Sequence, residues 1–311
     1  MRIVLPCATR RGYLFLEKLA ELRPDIELVV FSFQEDPWEP PFRDGIRDLT
    51  LSHGGQFFET RRLDSPSLAS FWETTPVDLM MVVSWRYLIP ASIYRRPRLG
   101  TFVFHDSLLP AYRGFSPSLW AIINGEDHTG ATLFEIADAV DSGDIVDQER
   151  VPIGSDDTIS NVMERVTQAY LTLLERNLNG LLDGCAPRFP QDHSKATFTC
   201  KRLPEDNLID WTQPSERIYN LIRAVTAPYP GAYTYLDGKK LIVWSAQRLP
   251  DYPLYIGRVP GRVVEIRPGV GTVVLTGDGA LLLTNVQPEG QDAAGAADVL
   301  NRITHTLGRR S

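Results

Sequence analysis

Two hydrophobic periodicities alternate along the first half of the chain. Short apolar runs at Ile3–Leu5, Leu28–Phe33, Leu79–Val83 and Thr101–Phe104 have the length and composition of buried strands, with Gln56–Phe58 a weaker edge. Between them, Tyr13–Leu22, Ser67–Trp72 and Ser116–Asn124 carry helical faces. Strand and helix in alternation predict an α/β domain, a doubly wound and mainly parallel sheet covered on both faces. A longer helical pattern over 158–182 lines up Val162, Val166, Ala169, Leu173 and Asn177 and stops at Gly184, where it closes the first domain.

Beyond that helix the pattern changes. Residues 188–201 are irregular and polar and read as a linker. One helix, Ser215–Val225, precedes strand-like runs at Ala232–Tyr235, Lys240–Ser245, Arg262–Ile266, Thr272–Leu275 and Ala280–Thr284. Asp237-Gly238 and Gly277-Asp278-Gly279 mark hairpins between them, so the second domain is a small antiparallel barrel or sheet. The expected boundaries are a first domain over 1–190, a linker over 191–200 and a β domain over 201–311.

Composition narrows the class without naming the chemistry. The 311 residues are 43% hydrophobic and 23% charged, ordinary for a globular protein of two domains. No apolar stretch approaches a membrane span, and Met1–Pro6 runs straight into a strand rather than a signal sequence. Cys7, Cys185 and Cys200 lack metal or disulfide spacing and read as reduced thiols, so the expected location is cytoplasmic. The net charge of −7 divides into −9 for the first 200 residues and +2 for the rest. Neither half carries the positive charge that phosphate contacts demand, which argues against tRNA as a partner.

The candidate chemistry gathers at one strand end. His105 follows the apolar run Thr101–Phe104, and Asp141-Ser142-Gly143-Asp144 comes 36 residues later on a tight turn. An imidazole and a carboxylate beyond the carboxyl end of a parallel strand suit proton shuttling in group transfer. Ser107 joins this group as a loop-tying hydroxyl rather than a nucleophile, since no Gly-x-Ser-x-Gly elbow is present. Arg10 and Arg11 follow the first strand, where they would grip an anionic group or else line a solvated loop. His53, His128, His193 and His305 have no metal-ligand spacing, so no metal is expected. The Pro-rich segment Asp36-Pro37-Trp38-Glu39-Pro40-Pro41 reads as a surface loop, with a substrate lid as the alternative.

The run His105-Asp106-Ser107-Leu108-Leu109-Pro110-Ala111-Tyr112-Arg113-Gly114, followed by Gly130-Ala131-Thr132 and Asp141-Ser142-Gly143-Asp144-Ile145, resembles the formyltransferase family. Lys201–Asp206, Ile209-Asp210-Trp211, Asn220–Ala224 and Pro228–Ala232 are similar to the carboxyl-terminal domain of its longer members. That family includes methionyl-tRNA formyltransferase, glycinamide ribonucleotide transformylase, and enzymes that formylate amino sugars or hydroxyornithine. The resemblance implies a Rossmann-like fold with an OB-like second domain, and 10-formyltetrahydrofolate as donor to an amine. It implies that His105 shuttles the proton and Asp141 orients it. The pterin would lie against Ser84–Pro90, including Trp85, Arg86, Tyr87 and Leu88, and against Asp138, Ala139 and Val140. Arg113, Gly114 and Phe115 join Arg10 and Arg11 as the acceptor side.

One position departs from the family. Where its members carry an Asn two residues before the His, to polarise the formyl oxygen, this chain has Val103. Loss of one such donor costs about 3–4 kcal/mol elsewhere, so another donor must substitute, or the activity differs. Ser84, Thr101 and backbone amides near Ser107 are the substitutes in reach. The expected function is N-formylation of a small biosynthetic amine, hydroxyornithine-like or a nucleotide amino sugar, in secondary-metabolite or siderophore synthesis. Methionyl-tRNA formylation, another acyl donor, or a non-catalytic folate-binding protein are the alternatives. Tyr229, Tyr233, Tyr235 and Trp244 should pack within the protein or at a homodimer interface.

Overall fold

The computed structural model describes residues 1–37 and 39–308, so Trp38 of the candidate lid lies outside the described residues. In chain order the first half runs β1 (Arg2–Pro6), α1 (Thr9–Leu22), β2 (Glu27–Ser32), α2 (Arg43–Ser52) and β3 (Gln56–Glu59). It continues through α3 (Ala69–Thr74), β4 (Leu79–Val83), α4 (Ala91–Tyr94) and β5 (Thr101–His105). Next come the two-residue β6 (Arg113–Gly114), α5 (Pro117–Ile123), the hairpin β7 (His128–Glu135) and β8 (Ile145–Pro152), α6 (Ile159–Leu182) and the short β9 (Phe198–Thr199). Seven strands form one sheet in the order β3-β2-β1-β4-β5-β7-β8. The first five are parallel, and β7 and β8 extend the sheet antiparallel.

This is the doubly wound sheet the periodicity predicts, and the strand residues show why. Every side chain of β4 is buried, as expected of a central parallel strand with both faces covered. Helix α1 buries Phe15, Leu16, Leu19 and Ala20 and leaves a polar outer side. Helix α2 buries only Ile46 and Thr50, one turn apart.

The chain divides into two compact units. One comprises Met1–Pro117, His128–Pro152 and Met163–Cys200; the other Ser118–Asp127, Ile153–Val162 and Lys201–Ser311. The segment expected as a linker belongs to the first: Phe189 bridges to Ile145, and Phe198 and Thr199 pair with β6. In the second unit α7 (Ser215–Val225) precedes β10 (Ala232–Leu236), β11 (Lys239–Arg248), β12 (Val263–Arg267), β13 (Gly271–Leu275), β14 (Ala280–Pro288) and β15 (Ala294–Gly295). They form a separate antiparallel sheet in the order β10-β11-β14-β13-β12, with β15 on β14. Val243, Val273, Leu281 and Leu283 are fully buried, and hairpin turns fall at both predicted Gly-containing sites.

Candidate active site

His105 is the last residue of β5 and is nearly buried. Its Nε2 lies 2.9 Å from the carbonyl oxygen of Tyr112, an acceptor only, so Nε2 carries a proton and donates it there. In the neutral ring Nδ1 then carries the lone pair. Nδ1 faces Asp141 Oδ2 at 3.6 Å, and the same carboxylate oxygen accepts from the Gly114 amide at 2.8 Å. Imidazole and carboxylate are therefore each pinned by backbone, with the basic nitrogen turned toward the negative group.

Two loops carry these contacts. The 107–116 loop is unusually bent, with Tyr112, Gly114 and Ser116 all at positive φ. Ser107 ties it down by donating to the Ala111 carbonyl at 2.7 Å, so its hydroxyl is engaged in structure. Thr132 on β7 donates to the Ser107 carbonyl at 2.6 Å and accepts from the Leu109 amide at 3.1 Å. The other loop, 136–144, brings Asp141 back over β5 at φ 48°. It closes through Gly143, where a Cβ would fall 1.7 Å from the Glu135 carbonyl oxygen, so only glycine fits.

Several expected ligand groups face inward. The Arg11 guanidinium pairs with Asp106 at 2.7 Å, lies over the Tyr170 ring at 4.6 Å and is buried. Tyr170 adds its hydroxyl to Asp106 at 2.6 Å. Burial alone would raise the Asp106 carboxyl, but Arg11, then Tyr170 and His105, outweigh it and hold the group below the usual carboxylate range. Arg113 is likewise buried and donates to Gln191. Both guanidiniums meet partners within the protein. Arg10 is exposed and paired with Glu164. Gly114 contributes its amide, while Phe115 stays exposed beside it.

The expected donor-binding residues occupy two places. Trp85 and Tyr87 form an edge-to-face cluster with Phe33, while Arg86 pairs with Glu39 and Asp36 and Leu88 is exposed. Asp138 accepts from Tyr94 and from Arg95, which in that order lower its carboxyl pKa. Ala139 offers its carbonyl to Ser142, and Val140 is exposed. A cavity of about 580 Å³ opens between Tyr94, Arg95, Gly100, Thr101, Glu135 and Asp138. At the usual rise per strand residue it lies about 13 Å along β5 from His105, so it is not where the imidazole acts.

Val103 shares a sheet face with His105, two residues on, and packs against the apolar cluster that includes Val82 and Ile93. Two of the substitute donors are engaged elsewhere: Thr101 donates to the Tyr94 carbonyl, and the Leu109 amide to Thr132. Ser84 is not. It follows Val83, the last residue of β4 and the register partner of Phe104, at positive φ, and no hydrogen bond of its hydroxyl is found among the described residues. The described residues hold no cluster of metal-ligating groups.

Residues 20–178 match the model of the formyl transferase family, and residues 202–304 match that of the formyl transferase C-terminal domain. The chain belongs to the formyl transferase family. Among solved structures, this formyl transferase is 21% identical to a variant of HypX from Aquifex aeolicus, covering 97% of this chain and 47% of that one with a TM-score of 0.64. It thus spans about half of HypX, which has also been solved in complex with tetrahydrofolic acid. WlaRD, a sugar 3N-formyl transferase solved in the presence of dTDP and 5-N-formyl-THF, is 17% identical over 94% of this chain and 99% of its own, with a TM-score of 0.67. Methionyl-tRNA formyltransferase from Clostridium thermocellum is 18% identical over 81% and 95%, with a TM-score of 0.57. At these identities the likeness is one of fold.

Proposed function

We propose that this formyl transferase moves the formyl group of 10-formyltetrahydrofolate onto the amine of a small biosynthetic acceptor. The observation that carries the reading is the His105–Asp141 pair, with Nε2 fixed on the Tyr112 carbonyl and Nδ1 left as the base. The acceptor nitrogen attacks the formyl carbon and gives its proton to Nδ1. Asp141 stabilises the imidazolium that results. Collapse of the tetrahedral intermediate breaks the bond from formyl carbon to donor nitrogen, and the same proton passes from His105 to that nitrogen. The oxyanion formed on the way takes its hydrogen bond from Ser84, the uncommitted hydroxyl just past the end of β4.

The donor's pterin lies against 84–90 and 138–140. Asp138 borders the cavity while Asp141 meets His105, so a flat ring along that loop carries its reactive end to the imidazole. The acceptor is a hydroxyornithine-like amino acid or a nucleotide amino sugar, bound by the protein in the cytoplasm. The +2 charge of residues 201–311 speaks against tRNA. The test is Asp141→Asn: kcat should fall strongly while calorimetry with a stable formyl-folate analogue gives nearly unchanged affinity. Absence of folate binding by the unaltered protein would point to another acyl donor.

A further inference from the structure

Gln191 falls in the segment that reads as a linker, yet it is buried between the two loops that carry the catalytic pair. Its carbonyl oxygen accepts from Arg113 Nε at 3.2 Å and Nη2 at 2.5 Å. Its amide nitrogen donates to the carbonyls of Asp141 at 3.0 Å and Gly143 at 2.6 Å. We infer that Gln191 is a positioning residue that sets the separation of His105 and Asp141.

The bonds form a closed circuit. His105 rests on the Tyr112 carbonyl, and Arg113 is the next residue; Gln191 links the Arg113 guanidinium to the Asp141 main chain, and the Asp141 carboxylate returns to Gly114 and His105. A glutamine suits the junction because one planar group offers an acceptor to a guanidinium and two donors to carbonyls, which neither Glu nor Lys can do. All four of these bonds are buried or partly buried, where an unmade one is costly, so the amide has one satisfactory orientation. Arg113 is charged and buried, and its guanidinium is met by Gln191 and, at 2.9 Å, by His193 Nδ1.

This inference rests on the reading of His105 and Asp141 as the catalytic pair, and the experiment separates the two. Gln191→Glu keeps an oxygen for Arg113 but removes both donors to the Asp141 loop; Arg113→Lys removes the paired contact from the other end. In each variant kcat for formyl transfer should fall about 10- to 100-fold, the scale of a small misplacement of catalytic groups. KM for donor and acceptor should stay near the unaltered values, the melting temperature should fall because buried hydrogen bonds are lost, and the imidazole nitrogen resonances of His105 should move in the protein alone. Arg113→Lys decides the matter should Gln191→Glu fail to fold. Unchanged kcat in a folded variant, beside an inactive His105→Ala, overturns the positioning role alone. Full activity of His105→Ala overturns the catalytic reading beneath it. A lowered melting temperature with unchanged turnover and unmoved resonances assigns Gln191 to structure only.

Discussion

Replacing Arg11 by Met tests whether that guanidinium serves the fold or a ligand. Met keeps the apolar stem and removes the charge, leaving Asp106 with the Tyr170 hydroxyl but without its cation. Only 6% of the Arg11 side chain and 26% of the Asp106 side chain are exposed. Breaking a fully buried ion pair costs about 3–5 kcal/mol, and with a quarter of Asp106 in water the expected loss is about 2–3 kcal/mol. The assay is urea unfolding, read as a lower midpoint at constant slope. The pH dependence has a definite sign. The folded Asp106 carboxyl is depressed, so the pair contributes its stability above about pH 4, the unfolded carboxyl value, and loses it as pH falls through the folded value. The gap between the two proteins should be full at neutral pH and shrink in acid. A double variant, Arg11→Met with Asp106→Leu, should lose less than Arg11→Met alone. An unchanged midpoint together with lost acceptor saturation would refute this reasoning and restore Arg11 to the ligand.

Ser84→Ala should slow single-turnover transfer about 100-fold, the cost of one oxyanion donor, with folate affinity retained. Val103→Asn should then be neutral or harmful, because an amide packed against the apolar cluster gains little where a donor already acts; a large gain in rate would show that Ser84 does not act. Gly143→Ala should cut kcat in a protein that still folds, since a Cβ collides with the Glu135 carbonyl and must displace the Asp141 loop. A mobility-shift titration with tRNA should show no high-affinity, steeply salt-dependent binding.

Much of the parallel sheet was legible because its strands are short, wholly apolar and separated by amphipathic helices, as β4 and α1 show. The hairpin β7–β8 was not, since six consecutive buried residues of β7 remove the alternation that marks an antiparallel strand. The two catalytic candidates were legible as a motif, but the partners of the neighbouring arginines were not, since Arg11 and Arg113 meet buried groups distant in the chain. Gln191 left no signal. Its partners lie 78 and 50 residues away, and nothing local distinguishes it within a polar stretch.

The central claim is that His105 and Asp141 pass a formyl group from folate to an amine. It is tested most directly by incubating the purified protein with 10-formyltetrahydrofolate labelled in the formyl carbon and a panel of amino acids and nucleotide amino sugars, with mass detection of the products. Labelled formyl should appear on an acceptor with the unaltered protein and be absent with His105→Ala. Transfer that persists in His105→Ala, or tight folate binding with no transfer to any amine, would contradict the account.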